Sequence, residues 1–254
     1  MRYHSFAVSD RGRLRDNNED NACVNDYYCE NSSTFSWGHE SKEATAILAA
    51  VFDGMGGEAN GEIASKMAAE NMAAICEADF SKEVDAYVER TNKAIALYDT
   101  EHNMGTTFAA LYAKDDMYYI YNIGDSRVYL YRDGRLKQMT HDHNMVRRLQ
   151  REGILTKEQA DRHPQRNSIS QFLGMKDKGM LIRPDCFKEE MVHARPEDII
   201  LLCTDGLTEM VSDEAICNRL SQPGTIKDKT QDLLQMALDA GGKDNVTIIL
   251  AEAV

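Results

Sequence analysis

The chain has 254 residues, 43% of them hydrophobic, and carries 29 Lys+Arg against 42 Asp+Glu for a formal charge of −13. That length and apolar content suffice for one large core in a single globular domain. The acidic balance argues against nonspecific nucleic-acid binding and against attraction to anionic membranes. Six cysteines occur, none in a C-x-x-C pair and none followed six positions later by arginine, so a disulfide scaffold and a cysteine-phosphatase loop are both excluded. The start, Met1 to Ser5, lacks the apolar core of a signal peptide, and no apolar run reaches membrane-spanning length. The expectation is a cytosolic protein.

Taken in order, the polar stretch Asn25 to Glu43 reads as a surface hairpin or loop. The apolar run Ala46 to Phe52 fits a buried strand that delivers Asp53 into Gly54-Met55-Gly56-Gly57. A helix over Gly61 to Glu77 follows, with Ile63, Met67, Asn71 and Ile75 on one side. A second helix from Ser81 aligns Val84, Tyr87, Val88, Thr91, Ile95 and Tyr98. The period then changes to short strands at Thr106 to Tyr112, Met117 to Ile123, Arg127 to Tyr131 and Leu136 to Thr140, whose tight connections predict antiparallel neighbours. His143 to Arg162 returns to helix, with a capping box at Thr156 to Gln159. Strands are expected at Ser168 to Leu173, Arg183 to Glu189 and Ile199 to Leu202. A short helix capped by Ser212, a longer one over Ile226 to Ala240 stopped by Gly241-Gly242, and a strand over Val246 to Ala251 complete the chain. Strands mixed with helix pairs, without strict βαβ alternation, predict antiparallel sheets covered by helices.

Four segments repeat one design. Val51-Phe52-Asp53-Gly54 and Leu202-Cys203-Thr204-Asp205-Gly206 are apolar strands ending in Asp-Gly, Ile123-Gly124-Asp125-Ser126 sets an aspartate between strands, and Lys243-Asp244-Asn245 sets one just before a strand. Strand ends distant in sequence can converge at one edge of a sheet sandwich, where such carboxylates would repel one another unless cations lay between them. Oxygen ligands without supporting Cys or His point to magnesium or manganese rather than zinc. The His141-Asp142-His143 cluster belongs to a polar turn rather than to a metal site.

Ser9-Asp10-Arg11-Gly12, Arg15-Asp16-Asn17-Asn18-Glu19-Asp20, Asp53-Gly54-Met55-Gly56-Gly57, Gly105-Thr106-Thr107, Gly124-Asp125-Ser126-Arg127, Thr204-Asp205-Gly206-Leu207 and Gly242-Lys243-Asp244-Asn245-Val246-Thr247 stand in an order that resembles the PP2C-type (PPM) metal-dependent protein phosphatases, and most of all their bacterial PrpC/Stp/PstP-like branch. The resemblance covers essentially the whole chain. It implies an α+β fold, a four-layer αββα sandwich with two central antiparallel sheets flanked by helices, and a small flap subdomain at about 143–174. It also implies a dinuclear manganese or magnesium centre in which Asp53 bridges both ions, the Gly54 carbonyl binds one, and Asp205 and Asp244 hold the other. Glu19 and Asp20 match carboxylates acting through metal-bound water, Arg15 matches the arginine that grips the substrate phosphate, and Asp125 with Asp205 matches the ligands of a third ion in bacterial members.

The implied activity is hydrolysis of phosphoserine and phosphothreonine through a metal-bound water or hydroxide. The implied partners are phosphoprotein substrates and a bacterial Ser/Thr kinase that the enzyme opposes, with the phosphatase a monomer. A non-catalytic phosphoprotein-binding relative and a hydrolase of small phosphate esters are the alternatives. Two departures stand out. Met55 occupies the place of a histidine proposed as general acid in many eukaryotic relatives, and Ser170-Gln171-Phe172 stands where Thr-Arg-Ala is usual in the flap.

Overall fold

A computed structural model describes residues 1–31, 36–56, 60–76, 78–98, 104–166, 168–176, 182–186 and 192–254. In chain order the elements are β1 (Tyr3–Asp10), β2 (Asn21–Val24), β3 (Tyr27–Tyr28), β4 (Ser36–Ala44), β5 (Ile47–Phe52), β6 (Gly54–Met55), α1 (Gly61–Ala73) and α2 (Phe80–Tyr98). Next come β7 (Gly105–Thr106), β8 (Phe108–Lys114), β9 (Met117–Ile123), β10 (Arg127–Arg132), β11 (Arg135–Gln138), α3 (Met145–Arg151) and α4 (Lys157–Asp161). The last third holds β12 (Asp185–Cys186), β13 (Val192–His193), β14 (Ile199–Cys203), α5 (Asp205–Thr208), α6 (Asp213–Ser221), α7 (Ile226–Asp239) and β15 (Val246–Ala253).

Two antiparallel sheets form the centre. One runs β11-β10-β14-β15-β1-β4 and the other β12-β9-β8-β5-β2-β3, with β13 also on β9. Their facing sides share one apolar core, to which β5 sends Ile47, Ala49 and Val51 and β14 sends Ile200 and Leu202. The alternate residues Leu48, Ala50 and Phe52 pack under α1 and α2, and Ile199, Leu201 and Cys203 pack under α5 to α7. Such strands are covered on both faces, which is why they read as unbroken apolar runs. The architecture is the expected αββα sandwich of class α+β.

Several local expectations are corrected. Asn25 to Glu43 is neither a hairpin nor a loop: β3 pairs with β2 in one sheet, and the nine-residue β4, which runs on to Ala44, pairs with β1 at the edge of the other. Its polar sequence is what an edge strand carries to discourage further pairing. Helix α1 ends at Ala73, short of the expected end at Glu77, a residue outside those described. It buries Ala64, Ser65, Ala68, Ala69 and Met72 rather than the Ile63/Met67/Asn71/Ile75 stripe, because small side chains let it lie close to the sheet and let Tyr87 Oη donate to the Ala68 carbonyl at 2.9 Å. On α2 the expected face is buried except for Tyr98, which is exposed.

The stretch from His143 to Arg162 is two short helices, broken where Gly153 takes φ +74°. The capping box at Thr156 and Gln159 is formed. Ser168 to Leu173 is no strand but meets its neighbours in two isolated bridges, Asn144 with Ile169 and Thr106 with Leu173. Of Arg183 to Glu189 the strand part is β12, and residues 187–189 lie outside those described. Finally, β9 and β10 are not partners despite their short connection: β9 belongs to one sheet and β10 to the other.

Gly206, in the first turn of α5, lets the segments at the end of β14 and the start of β15 lie close together, since a Cβ there would stand 1.9 Å from the Asn245 carbonyl oxygen. Gly206→Ala is therefore expected to cost about 1–3 kcal/mol of overpacking. Urea or thermal unfolding of the variant beside wild type measures it, and an unchanged midpoint would contradict the close approach.

Candidate metal centre

The registers bring the strand ends together. On one sheet Asn21 pairs with Phe52 and Phe108 with Ile123, so Asp20, Asp53 and the Gly124-Asp125 corner leave from one edge. On the other, Arg127 pairs with Cys203, Cys203 with Ile248 and Asp10 with Val246, which places Asp205 and Asp244 at the matching edge. The crossover from β9 to β10 spans the two edges, and Asp125 rides on it.

Each carboxylate is held by its local backbone. The Asp53 amide donates to Thr107 Oγ1 at 2.9 Å, and its carbonyl accepts from Thr107 N and Thr106 Oγ1, both at 2.9 Å. The backbone at Asp53 is thus saturated and its side chain is left for other work. Next to it, a Cβ on Gly54 would stand 2.3 Å from the Gly61 carbonyl oxygen and 2.4 Å from that of Glu19, so the bare backbone is required. Asp20, fully buried, accepts through Oδ2 from Thr204 Oγ1 at 2.9 Å and Thr247 Oγ1 at 2.7 Å, joining one sheet to the other.

Asn245 clamps the loop that carries Arg15 and Glu19. Its Oδ1 accepts from Glu19 N at 2.7 Å, and its Nδ2 donates to the carbonyls of Arg11 and Asn17, both at 2.8 Å. Arg15 Nη2 donates to Asp244 Oδ2 at 2.6 Å, with the arginine side chain 51% exposed and the aspartate 34%.

Burial pushes the Asp20 carboxyl up to about 8, with Asp244 and Asp205 adding to the rise against the two threonine hydrogen bonds. Burial likewise raises Asp205 to about 7, with Glu209 and Asp244 contributing. Asp53 is held well above the usual carboxylate range by burial and then by Asp20, Asp205, Asp125 and Asp244. Asp125 is raised by burial, then by Asp205 and Asp142. Glu19 also rises, from burial and the charge of Glu62. The guanidinium of Arg15, against the effect of burial, is held more basic than usual by its Asp244 hydrogen bond and by the charges of Asp244, Glu19 and Asp53. Each of the seven side chains expected at the centre thus interacts with at least one other of the set.

Among the described residues no three His, Cys, Asp or Glu side chains already close around one point as a finished cage. A magnesium-like ion does not require that, because it is commonly held by one or two carboxylates and keeps several waters. The donor set is all oxygen, and Asp125 Oδ1 is buried without a hydrogen-bond partner, so these residues fit a hard divalent cation.

The His141-Asp142-His143 cluster serves structure. Asp142 takes Arg127 in a two-pronged ion pair, at 3.0 Å from Nε and 2.7 Å from Nη2, and His143 Nδ1 accepts from the Gly124 amide at 3.2 Å. Sequence reasoning assigned no role to Thr107, Thr204, Asn245 and Thr247, although all four lie inside the quoted motifs.

A protein-family model described as protein phosphatase 2C matches residues 33–251. The chain belongs to the protein phosphatase 2C family. Among related members of this phosphatase family, the serine/threonine phosphatase stp of Listeria monocytogenes serotype 4b is 33% identical over 98% of this chain and 95% of its own. The protein phosphatase PstP of Mycobacterium tuberculosis is 38% identical over 98% of this chain and 44% of its own length. A crystal structure of the latter superposes with TM-score 0.81 at 35% identity, covering 99% of both chains. The PstP catalytic domain in complex with two manganese ions gives TM-score 0.79 at 33% identity over the full length of both.

The raised carboxyls set a pH dependence for the metal-free protein. A carboxyl whose folded pKa exceeds its unfolded value of about 4 stabilises fully below that value and loses this contribution as pH rises through the folded pKa. With Asp205 at about 7 and Asp20 at about 8, the chelated protein is expected to melt lower at about pH 9 than at about pH 6. Added Mn²⁺ should restore more of the midpoint at the higher pH. A flat or rising profile in chelator, followed by scanning calorimetry, would contradict the clustering.

Proposed function

We infer that this chain is a manganese- or magnesium-dependent phosphoprotein phosphatase that hydrolyses phosphoserine and phosphothreonine. The observation carrying this reading is the convergence of Asp20, Asp53, Asp125 and Asp205 at the meeting edges of two sheets, each raised first by burial and then by the charge of neighbouring carboxylates. A full set of buried carboxylates has no use in a module that only binds a phosphoprotein.

Asp53 and the Gly54 carbonyl would hold one divalent cation, and Asp53 with Asp205 and Asp244 would hold a second. Glu19 and Asp20 would act on those ions through intervening water, and Asp125 with Asp205 would hold a third, weaker ion. Bound there, divalent cations supply charge neutralisation and a water acid enough to attack phosphorus near neutral pH. Arg15 contributes the planar, two-pronged donor for phosphate oxygens. Its present single bond to Asp244 is exposed and exchangeable, so an arriving phosphate takes the guanidinium over without breaking the loop that Asn245 holds. Met55 carries no transferable proton, so the leaving alkoxide must draw its proton from a water held at the centre, near Asp125, or from another side chain.

The substrates are phosphoproteins, and a bacterial Ser/Thr kinase opposed by this enzyme is among them. We place the enzyme in the cytosol as a monomer. No helix among the described residues is long and apolar enough to cross a membrane.

Release of phosphate from a phosphothreonine peptide is expected to require Mn²⁺ or Mg²⁺ and to fall at least about a hundredfold in Asp205→Asn. Activity persisting in that variant or in excess chelator would overturn the mechanism. Turnover of small phosphate esters with none of phosphopeptides would favour a metabolite hydrolase instead. Arg15→Ala is expected to raise KM about tenfold or more, as loss of a charge-assisted phosphate contact does. Unchanged kinetics would remove Arg15 from the phosphate site.

A further inference from the structure

Between α3 and residues 170–175 lies a cavity of about 340 Å³, lined among others by His143, Met145, Arg148, Arg151, Gln171 and Ile182. It adjoins the metal centre on two sides. His143 N donates to the Gly124 carbonyl at 2.8 Å, one residue from Asp125. Leu173 and Thr106 exchange two backbone hydrogen bonds at 2.9 Å, and Thr106 Oγ1 donates to the Asp53 carbonyl.

The cavity is locally positive in a strongly acidic protein. Among the described residues the one carboxylate lining it is Asp142, already taken by Arg127 through both oxygens and by Gln138 Nε2 at 3.1 Å, and Asp185 lies beside it, 3.1 Å from His143 Nε2. Arg148 is 57% exposed, with Nε 3.6 Å from Glu152, longer than a hydrogen bond. Arg151 Nη1 reaches the Asp142 carbonyl only at 3.4 Å. Both guanidiniums therefore keep donors to spare. Met145, at the rim, is 50% exposed and offers an apolar shelf for an extended chain.

We propose that this cavity is a specificity subsite in which Arg148 and Arg151 receive an acidic side chain, Asp or Glu, flanking the phosphorylated residue of the substrate protein. The inference rests on the phosphoprotein phosphatase reading above. The phosphate being hydrolysed goes to the metal centre and Arg15, so the cavity takes a different anion of the same chain. A carboxylate suits it better than a second phosphate, because Glu152 already offsets part of the Arg148 charge. Complementarity of this kind selects among partners more than it adds affinity.

The test compares two phosphothreonine peptides in Mn²⁺, one with aspartates on both sides of the phosphoresidue and one with alanines there. The readout is the ratio of their kcat/KM values. Wild type is expected to prefer the acidic peptide about fivefold at low salt, as two partly exposed ion pairs allow. Arg148→Ala/Arg151→Ala should bring the ratio to about one, and Arg148→Glu should turn it below one. If the double variant melts well below wild type, Arg148→Gln alone carries the comparison. No preference in wild type, a ratio that survives these substitutions, or a preference only for a second phosphothreonine would overturn the proposal. Failure of wild type to release phosphate from either peptide would be distinct from these, since it removes the phosphatase reading and the subsite together.

Discussion

The mutual repulsion of aspartates shut away from water is the constraint on which the rest of the molecule depends. Burial raises Asp20, Asp53, Asp125 and Asp205, and the charge of neighbouring carboxylates adds to the rise at each. A loose loop would relieve that by swinging apart. Here Asp20 is fixed through Oδ2 to threonines of the opposite sheet, and the backbone of Asp53 is locked to Thr106 and Thr107, so relief has to come from protons or cations. The raised carboxyls and the attraction for a hard divalent ion are two expressions of the same geometry.

That geometry follows from sandwich topology more than from any one residue. Antiparallel pairing of β2 with β5 puts the start of one beside the end of the other, and pairing of β14 with β15 does the same on the second sheet. Residues far apart in the chain become neighbours at a common edge without a long loop to carry them. The crossover from β9 to β10 then bridges the gap, which only a residue with positive φ such as Gly124 (φ +105°) can turn so sharply. Side chains supported by strand ends are better fixed than those on free loops, which is what metal chemistry asks of its ligands.

Much of this was legible in the sequence because it has a local signature. Buried strands announce themselves as apolar runs, and the aspartates stand immediately after or before them. What escaped is what depends on distant partners. The β4 edge strand looked like a loop because edge strands are polar, and α1 was turned to the wrong face because alanines weigh little in a hydrophobic pattern although they permit the closest packing. A short connection suggests that β9 pairs with β10, whereas β10 pairs with β11 on one side and with β14, far along the chain, on the other. In the centre the aspartates could be named, but Thr204, Thr247 and Asn245 could not be given roles. A hydroxyl or amide acquires one only from the group it meets, and their partners near the start of the chain lie more than 180 residues away.

Two arginines near the carboxylates show how the same side chain is put to opposite uses. Arg127 is largely buried and grips Asp142 through two nitrogens, also donating to Tyr129 Oη at 3.1 Å. A buried pair of that kind is costly to break, because either partner alone would be left charged without water. Its positive charge is held by Asp142, yet it still draws the Asp125 and Asp205 carboxyls down against burial. Arg15 meets Asp244 through a single nitrogen in a half-exposed setting, where the bond is worth little and water can replace it. The chain thus keeps one cation fixed as part of the fold and one free to change partner. A site that must accept and release an anion needs the second without disturbing the first.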